Sequence, residues 1–211
     1  MEPIRISPRI SYLPASAPPL SADVGVITTS GAVWIFDVGS NDEALNLINS
    51  IKGERRIVLS HFHADHTANL QRLPLDKDKD KIYGGSFTRK KFADKADITV
   101  IDKDLYFDEG IHLFPIPSAH AKGCVGLETD GFAFVGDSTY CDVREGKAVY
   151  NAGQLQGLIK ALKGLKAEKL LLSYEQPLEC DREAEIIRLE EIYSLRKKDE
   201  PYIYPKRKIT K

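Results

Sequence analysis

The sequence has little of several features that would point at once to a class of protein. Only three of its 211 residues are cysteine, and Cys124, Cys141 and Cys180 are widely separated, which argues against a disulfide framework or a Cys-x-x-Cys site. No segment approaches the roughly 20 apolar residues that span a bilayer, and Met1–Arg5 lacks the apolar stretch of a secretory signal. We therefore expect reduced thiols in a cytoplasmic protein with no membrane association.

A dominant charge is also absent. Lys and Arg total 30 against 31 for Asp and Glu, so the formal net charge of -1 offers no field that would attract nucleic acid or anionic lipid. The chain has no internal repeat and no linker rich in Gly, Pro or Ser, and its length suits one core. We expect a single domain over residues 1–211 that acts on a small molecule, with no nucleic-acid partner.

The apolar pattern predicts strands that alternate with helices. The predicted strands are Val24–Thr28, Ala32–Phe36, Arg56–Ser60 and Leu170–Leu172, with a mainly β region over Ile98–Val135; the predicted helices are Asp42–Lys52, Asp65–Leu73, Gln154–Leu165 and Arg182–Arg196. The alternating charges of Asp76–Lys81 predict a solvated loop without function. Two β-rich halves, each covered by helices, predict an α/β (α+β) fold built as a four-layer αββα sandwich.

Histidines cluster after the third predicted strand. His61, His63 and His66 fall within six residues of a protein that has only five histidines, so the cluster predicts metal binding. Side chains at i and i+2 of an extended segment share one face, which lets His61 and His63 converge on one ion. Asp65 and His66 lie where the chain turns into a helix, and a second ion would give them something to bind. His112, in contrast, lies in a β-rich run and is interpreted as structural.

The run Ser60–His66 carries the complete His-x-His-x-Asp-His signature and resembles the metallo-β-lactamase superfamily. Three further segments are similar to family elements in family order, over roughly Val24–Pro177: Asp37-Val38-Gly39, Pro117–Leu127 and Gly136-Asp137-Ser138. The resemblance implies that Asp37 supports the metal loop, that His120 completes a site with His61 and His63, and that Asp137 bridges two ions. It also implies a core at about 20–177 followed by a C-terminal helix and tail over 178–211.

The last family element departs from the pattern. A strand and a Gly-His-Gly-like turn are usual there, but this chain has Leu171-Leu172-Ser173-Tyr174-Glu175-Gln176-Pro177, without histidine. Aligning the strand and Pro177 makes Glu175 the expected ligand of the second site, beside Asp65, His66 and Asp137. An alignment shifted by one residue puts Tyr174 there, and a third interpretation leaves Glu175 as an exposed loop acid. Lys122, Tyr140 and Tyr174 are weaker candidates for substrate binding.

The resemblance implies a hydrolase in which a metal-bound hydroxide attacks a small ester, lactone, thioester, amide or phosphodiester, with Asp65 as the catalytic residue that orients the nucleophile. The expected cofactors are two divalent ions, zinc first, with manganese or iron as alternatives in the second site because Glu175 would add an oxygen ligand. Only 38 positions separate Asp137 from Glu175 (175 - 137), which leaves no room for the inserted domain of the family's nucleases. The long helical domain of glyoxalase II is also missing, which disfavours that assignment.

Two other functions remain open at this point. A non-heme iron oxidoreductase uses the same fold, and bound iron with oxygen uptake would identify it. A non-catalytic metal-binding sensor is suggested only by the missing final histidine.

Overall fold

Two large β-sheets form the centre of the computed structural model, which describes residues 2–205. The first sheet has seven strands in sequence order: β1 (Ile4–Arg5), β2 (Ile10–Leu13), β3 (Val24–Thr28), β4 (Val33–Phe36), β5 (Arg55–Leu59), β6 (Asp80–Gly84) and β7 (Ile98–Val100). Neighbours are antiparallel from β1 to β4 and parallel from β4 to β7.

The second sheet has six strands: β8 (Leu105–Phe107), β9 (Ile111–Ile116), β10 (Cys124–Thr129), β11 (Phe132–Gly136), β14 (Lys169–Leu172) and β15 (Glu179–Asp181). Their spatial order is β15-β14-β11-β10-β9-β8, and β11 with β14 is the parallel pair. A small third sheet joins β12 (Asp142–Arg144), β13 (Lys147–Asn151) and β16 (Tyr202–Ile203).

Five α-helices complete the described structure: α1 (Asp42–Ser50), α2 (Ala64–Thr67), α3 (Ser86–Lys91), α4 (Ala152–Gly164) and α5 (Arg182–Ser194). A polar side chain caps each of the three longest helices. Asn41 accepts a hydrogen bond from the Ala44 amide, Asn151 from that of Gln154, and Asp181 from that of Ala184. The helix starts are therefore fixed by local sequence.

The structure has four layers, with a cluster of buried apolar side chains between each pair of neighbouring layers. Successive side chains of β4 alternate between two of these clusters. Trp34 and Phe36 belong to the cluster between the two large sheets, where the rings of Phe36 and Phe134 are 5.2 Å apart. Ile35 points the other way and packs in the cluster that contains Ile48 of α1. A third cluster joins the second sheet to α4 and α5. The predicted four-layer αββα sandwich is confirmed.

Some local predictions need correction. The segment predicted as one helix over Asp65–Leu73 is the single turn α2 followed by a 3₁₀ turn, Ala68–Gln71. The segment predicted as a solvated loop, Asp76–Lys81, already contains the start of β6. Asp80 is only 8% exposed, and its carboxylate accepts two hydrogen bonds from the buried Arg55 guanidinium. A buried partner from another strand thus overrides the polar pattern.

The N-terminal end of the chain also differs from the sequence-based expectation. The N-terminal arm forms β1 and β2, which extend the first sheet, whereas no strand was predicted there. The predicted tail extends to residue 211, and residues 206–211 lie outside the described part. Within residues 2–205 the three cysteines are free, and no helix has the length and apolar character needed to cross a bilayer.

Candidate metal centre

The histidine loop follows β5 directly. His61 and His66 are fully buried, and His63 is half-buried immediately before α2 begins at Ala64. The ring centroids of His61 and His63 are 4.5 Å apart, so the i, i+2 pair converges as the extended backbone predicts. The centroids of His61 and His66 are 4.2 Å apart. One short loop therefore gathers three imidazoles.

The loop between β9 and β10 adds a fourth imidazole to the cluster. His120 Nε2 lies 3.0 Å from His63 Nδ1, and the His120 ring is 5.2 Å from that of His61. His61, His63 and His120 each offer a nitrogen within 4.8 Å of the others. Three imidazoles at this spacing match a tetrahedral zinc site that keeps a position open.

A second group shares His61 and is buried throughout. His61, His66 and Asp137 offer ligand atoms within 4.8 Å of one another, and Asp137 directly follows β11. One Asp137 oxygen is 3.3 Å from His66 Nε2, and the other is 3.3 Å from His120 Nε2. Asp137 therefore lies between the two groups, where one carboxylate could contact an ion on each side.

Asp37 stabilises the histidine loop through hydrogen bonds, although it belongs to neither of the two groups of potential metal ligands. Its two oxygens accept hydrogen bonds from the Ser60 amide and the Ser60 hydroxyl, each at 2.7 Å, and one lies 2.7 Å from His66 Nδ1. A carboxylate on Nδ1 directs the other ring nitrogen, Nε2, towards Asp137. Ser60 was not singled out from the sequence, although its place just before the first histidine is a signal that could have found it.

Three buried polar atoms of the centre make no hydrogen bond of good geometry within the described part of the chain. They are His61 Nε2, His66 Nε2 and Asp137 Oδ1. Buried polar atoms are rarely left unsatisfied, so these atoms need a ligand. Imidazole nitrogens and a carboxylate oxygen together suit zinc and similar divalent ions. These donors fit a bound cation.

The electrostatics of the centre favour the same ligand. Burial, reinforced by the neighbouring imidazoles, lowers the pKa of His61, and burial with His120 lowers that of His63. Both rings are thus neutral, as metal ligands must be. Burial alone would lower the pKa of His66, but Asp37 and Asp137 raise it well above its ordinary value. Those two carboxylates therefore favour a positive charge at this position.

The loop after β14 brings Tyr174, rather than Glu175, into the centre. The Tyr174 hydroxyl donates a hydrogen bond to Asp65 Oδ2, and its ring lies 5.9 Å from that of His66. Its backbone has a φ of 69°, and its amide donates to the buried Asp23 carboxylate at 2.8 Å. Burial first, and then Asp65, raises the pKa of Tyr174, so the hydroxyl keeps its proton.

Glu175, the expected ligand, is exposed at the edge of this loop. Its Oε1 lies 3.3 Å from the Tyr140 hydroxyl, and it is in neither of the two ligand groups. Tyr140 also donates to the Ser173 carbonyl, so it holds the loop that carries Tyr174. Asp65 is likewise outside both groups, with a side chain 21% exposed and Oδ2 at 3.7 Å from His66 Nε2.

The other sequence-based candidates lie farther out. Lys122 is exposed at the rim, with its ammonium 5.8 Å from the Phe87 ring. His112 is away from the centre, between the carboxylates of Glu128 and Asp104. Asp23 was missed, because 151 positions separate it from Tyr174 and no motif marks it.

Comparisons with known proteins agree with this geometry. The family model described as "Metallo-beta-lactamase superfamily" matches residues 17–173. The chain is similar to a hydroxyacylglutathione hydrolase from Buchnera aphidicola subsp. Acyrthosiphon pisum, with 27% identity over 116 residues. That match covers 54% of this chain and 45% of the relative, so the chain aligns with about half the length of that protein.

Solved structures share the fold. The DIM-1 metallo-beta-lactamase superposes with a TM-score of 0.69 at 15% identity, over 92% of this chain and 96% of that one. A mutant flavo di-iron protein from Thermotoga maritima has a TM-score of 0.67 at 15% identity, over 94% of this chain and 63% of its own. An archaeal superfamily protein from Sulfolobus tokodaii has a TM-score of 0.61 at 19% identity, over 89% and 87%.

Proposed function

Because this chain belongs to the metallo-β-lactamase superfamily, we propose that it is a hydrolase that uses two divalent ions, zinc by preference, to cleave a small acyl or phosphodiester substrate. One ion would be held by His61, His63 and His120. The other would be held by His66 and Asp137, with His61 near both. The name of the Buchnera relative supports acyl-group hydrolysis.

The unsatisfied buried atoms carry this proposal. His61 Nε2, His66 Nε2 and Asp137 Oδ1 lie close together, and none makes a hydrogen bond of good geometry among residues 2–205, although His66 Nε2 and Asp137 Oδ1 are 3.3 Å apart. A purely structural cluster of histidines would satisfy these atoms with hydrogen bonds from the protein, because an unpaired buried polar group costs about 1–3 kcal/mol. A centre built to take a cation leaves them free.

Divalent ions bound there would supply Lewis acidity, lowering the pKa of a water and polarising the substrate oxygen under attack. The residues of the chain then do the positioning. Asp65 is half-buried, and the Tyr174 hydroxyl donates a hydrogen bond to its Oδ2. The other oxygen would orient the attacking water and accept its proton. Asp37 keeps His66 in place during the reaction.

Metal-dependent turnover tests the proposal. Purified protein is stripped with a chelator, reloaded with zinc, manganese or iron, and assayed on matched esters, thioesters, lactones and phosphodiesters. We expect hydrolysis only after reloading, and we expect Asp65→Asn to lower kcat by roughly 100-fold, within the range that general acid–base groups contribute. Asp78→Asn, on an exposed loop, is the matched control.

Two results would contradict hydrolysis. Bound iron with oxygen uptake and no ester turnover would identify an oxidoreductase, a function that the fold also accommodates. Tight metal binding with no turnover of any substrate class would identify a binding protein.

A further inference from the structure

A mixed aromatic and basic surface borders the metal centre on the side of His63. We call it the Lys–Phe wall and define it by Phe62, Phe87, Lys91 and Lys122. The Phe62 ring is 5.0 Å from the His63 ring and 6.3 Å from the Phe87 ring. Lys91 donates to the Phe62 carbonyl at 2.5 Å, and Lys122 lies over Phe87. The Lys–Phe wall therefore lies directly beside His63, with Phe62 in contact with the His63 ring.

The wall presents apolar surface to solvent. Phe87 is 46% exposed, and Phe62 is half-buried, because part of its side chain packs against the cluster that joins the second sheet to α4 and α5. Exposed aromatic rings beside a polar centre are typical of surfaces that bind a ligand. A substrate with an apolar part would cover both rings.

Positive charge surrounds these rings. Lys91 and Lys122 are exposed, and within residues 2–205 no carboxylate lies within ion-pair distance of either ammonium. The last turn of α3 also carries Arg89 and Lys90, and its first turn has no acid. Lys91 makes one hydrogen bond and lies 5.3 Å from the Phe92 ring, but the described residues neutralise the charge of neither ammonium, and each retains donors for an anion.

Close backbone packing fixes the position of the wall. A Cβ on Gly85, which precedes α3, would lie 1.8 Å from the Gly123 carbonyl oxygen, so the loop of Lys122 lies flush against α3. Gly123 has a φ of +70° and would place a Cβ 3.4 Å from Phe87. Glycine is required at both positions. The two lysines are thus held on segments that pack directly together.

We propose that the Lys–Phe wall selects substrates in which an apolar segment next to the scissile bond carries a carboxylate. Phe62 and Phe87 contact the apolar segment, and the ammonium groups of Lys91 and Lys122 bind the carboxylate. This specificity rests on the proposed hydrolytic function. A charge-assisted contact to an anion is roughly twice as strong as a neutral hydrogen bond, which makes the lysines the discriminating element.

Two esters with one leaving group measure the selectivity. The 4-nitrophenyl monoester of glutaric acid carries the carboxylate, and 4-nitrophenyl butyrate does not. We expect zinc-loaded protein to favour the monoester in kcat/KM. In the double variant Lys91→Gln/Lys122→Gln the ratio of the two kcat/KM values should fall about tenfold or more. Lys160→Gln, on an exposed position of α4, should leave the ratio unchanged.

Binding separates this proposal from hydrolysis itself. Calorimetric titration with 4-phenylbutyrate and with its neutral amide needs no turnover. We expect tighter binding of the carboxylate by the native protein, loss of that difference in the double variant, and weaker binding of both compounds by Phe87→Ala. If the double variant lost the difference between carboxylate and amide binding, but no ester were hydrolysed, the proposed hydrolytic function would be wrong and the proposed role of the Lys–Phe wall would stand. Normal turnover with an unchanged selectivity ratio in the double variant would overturn the wall and keep the hydrolase.

Discussion

Tyr174 is the residue at which this centre differs most from the family pattern. Its left-handed backbone and its amide contact with Asp23 direct the hydroxyl to Asp65. A tyrosine with positive φ is strained, and such strain persists where the surroundings enforce it. The hydroxyl donates a hydrogen bond to Asp65 Oδ2 and so holds the carboxylate in place.

Tyr174→Phe removes that hydrogen bond and leaves the ring. We expect kcat to fall by roughly tenfold, because a hydrogen bond to a charged group is worth about 1.5–3 kcal/mol. Bound metal, measured by elemental analysis, should stay at the native level. Glu175→Gln separates the two alignments: if Glu175 is the ligand, this variant loses metal and Tyr174→Phe does not affect the rate.

Cys124 gives a pH-dependent test of local burial. It is 2% exposed, and burial raises its pKa to about 12. Its thiol therefore stays neutral in the folded protein while an unfolded thiol ionises near pH 8.5. Ionisation of the unfolded thiol favours the unfolded state, because the folded thiol cannot ionise at the same pH. The contribution of Cys124 to the free energy of unfolding is therefore fully present below about pH 8.5 and is lost as the pH rises towards 12.

We expect iodoacetamide to modify Cys124 slowly in the native protein, with little increase in rate between about pH 7 and pH 9.5. Mass spectrometry after digestion reads out the site. In denaturant the same thiol should react at the rate of a free cysteine. Fast native labelling with a midpoint near pH 8.5 would show that the thiol is accessible and its pKa ordinary.

At the scale of single elements, local signals predicted most of the fold. Strand Val24–Thr28 has the predicted bounds, and α1, capped by Asn41, begins at the predicted residue, Asp42. Asp130 and Gly131, between β10 and β11, both have positive φ, which is the backbone geometry that an Asp-Gly pair favours in a two-residue hairpin turn. These features depend on residues that are close together in the sequence, so they can be predicted from it.

Elements that depend on distant partners were not predictable in the same way. Asp80 lies in a run of alternating charges that looks solvated, but β6 pairs with β5 and brings it to Arg55. Charge pattern alone cannot show that one acid in such a run has a buried partner 25 positions away.

Asp80→Ala should therefore destabilise the first sheet. It leaves the buried Arg55 guanidinium without its ion pair, and removing one partner of a buried pair costs about 3–5 kcal/mol. The free energy of unfolding from urea titration measures this loss. Asp78→Ala, at an exposed position two residues earlier, should change it by less than about 0.5 kcal/mol. Equal stability of both variants would show that the pair contributes nothing.

At the scale of the whole molecule, the centre joins the two halves of the sandwich. His61, His63 and His66 follow a strand of the first sheet, whereas His120 and Asp137 come from loops of the second. The motif and the order of its partners predicted this assembly. Tyr174, Asp23 and the Lys–Phe wall were not predictable as a unit, because their contacts depend on how distant loops pack.

Metal stoichiometry tests the central claim most directly. Protein is equilibrated with zinc, freed of unbound metal and analysed by elemental analysis, with thermal unfolding as the check on folding. We predict about two ions per chain, about one in His66→Ala, and loss of most of both in His61→Ala, because His61 contributes to both groups. His112→Gln, a histidine outside the centre, should keep the native content. Native protein without bound metal, or His61→Ala with the full native content, would contradict the metal centre described above.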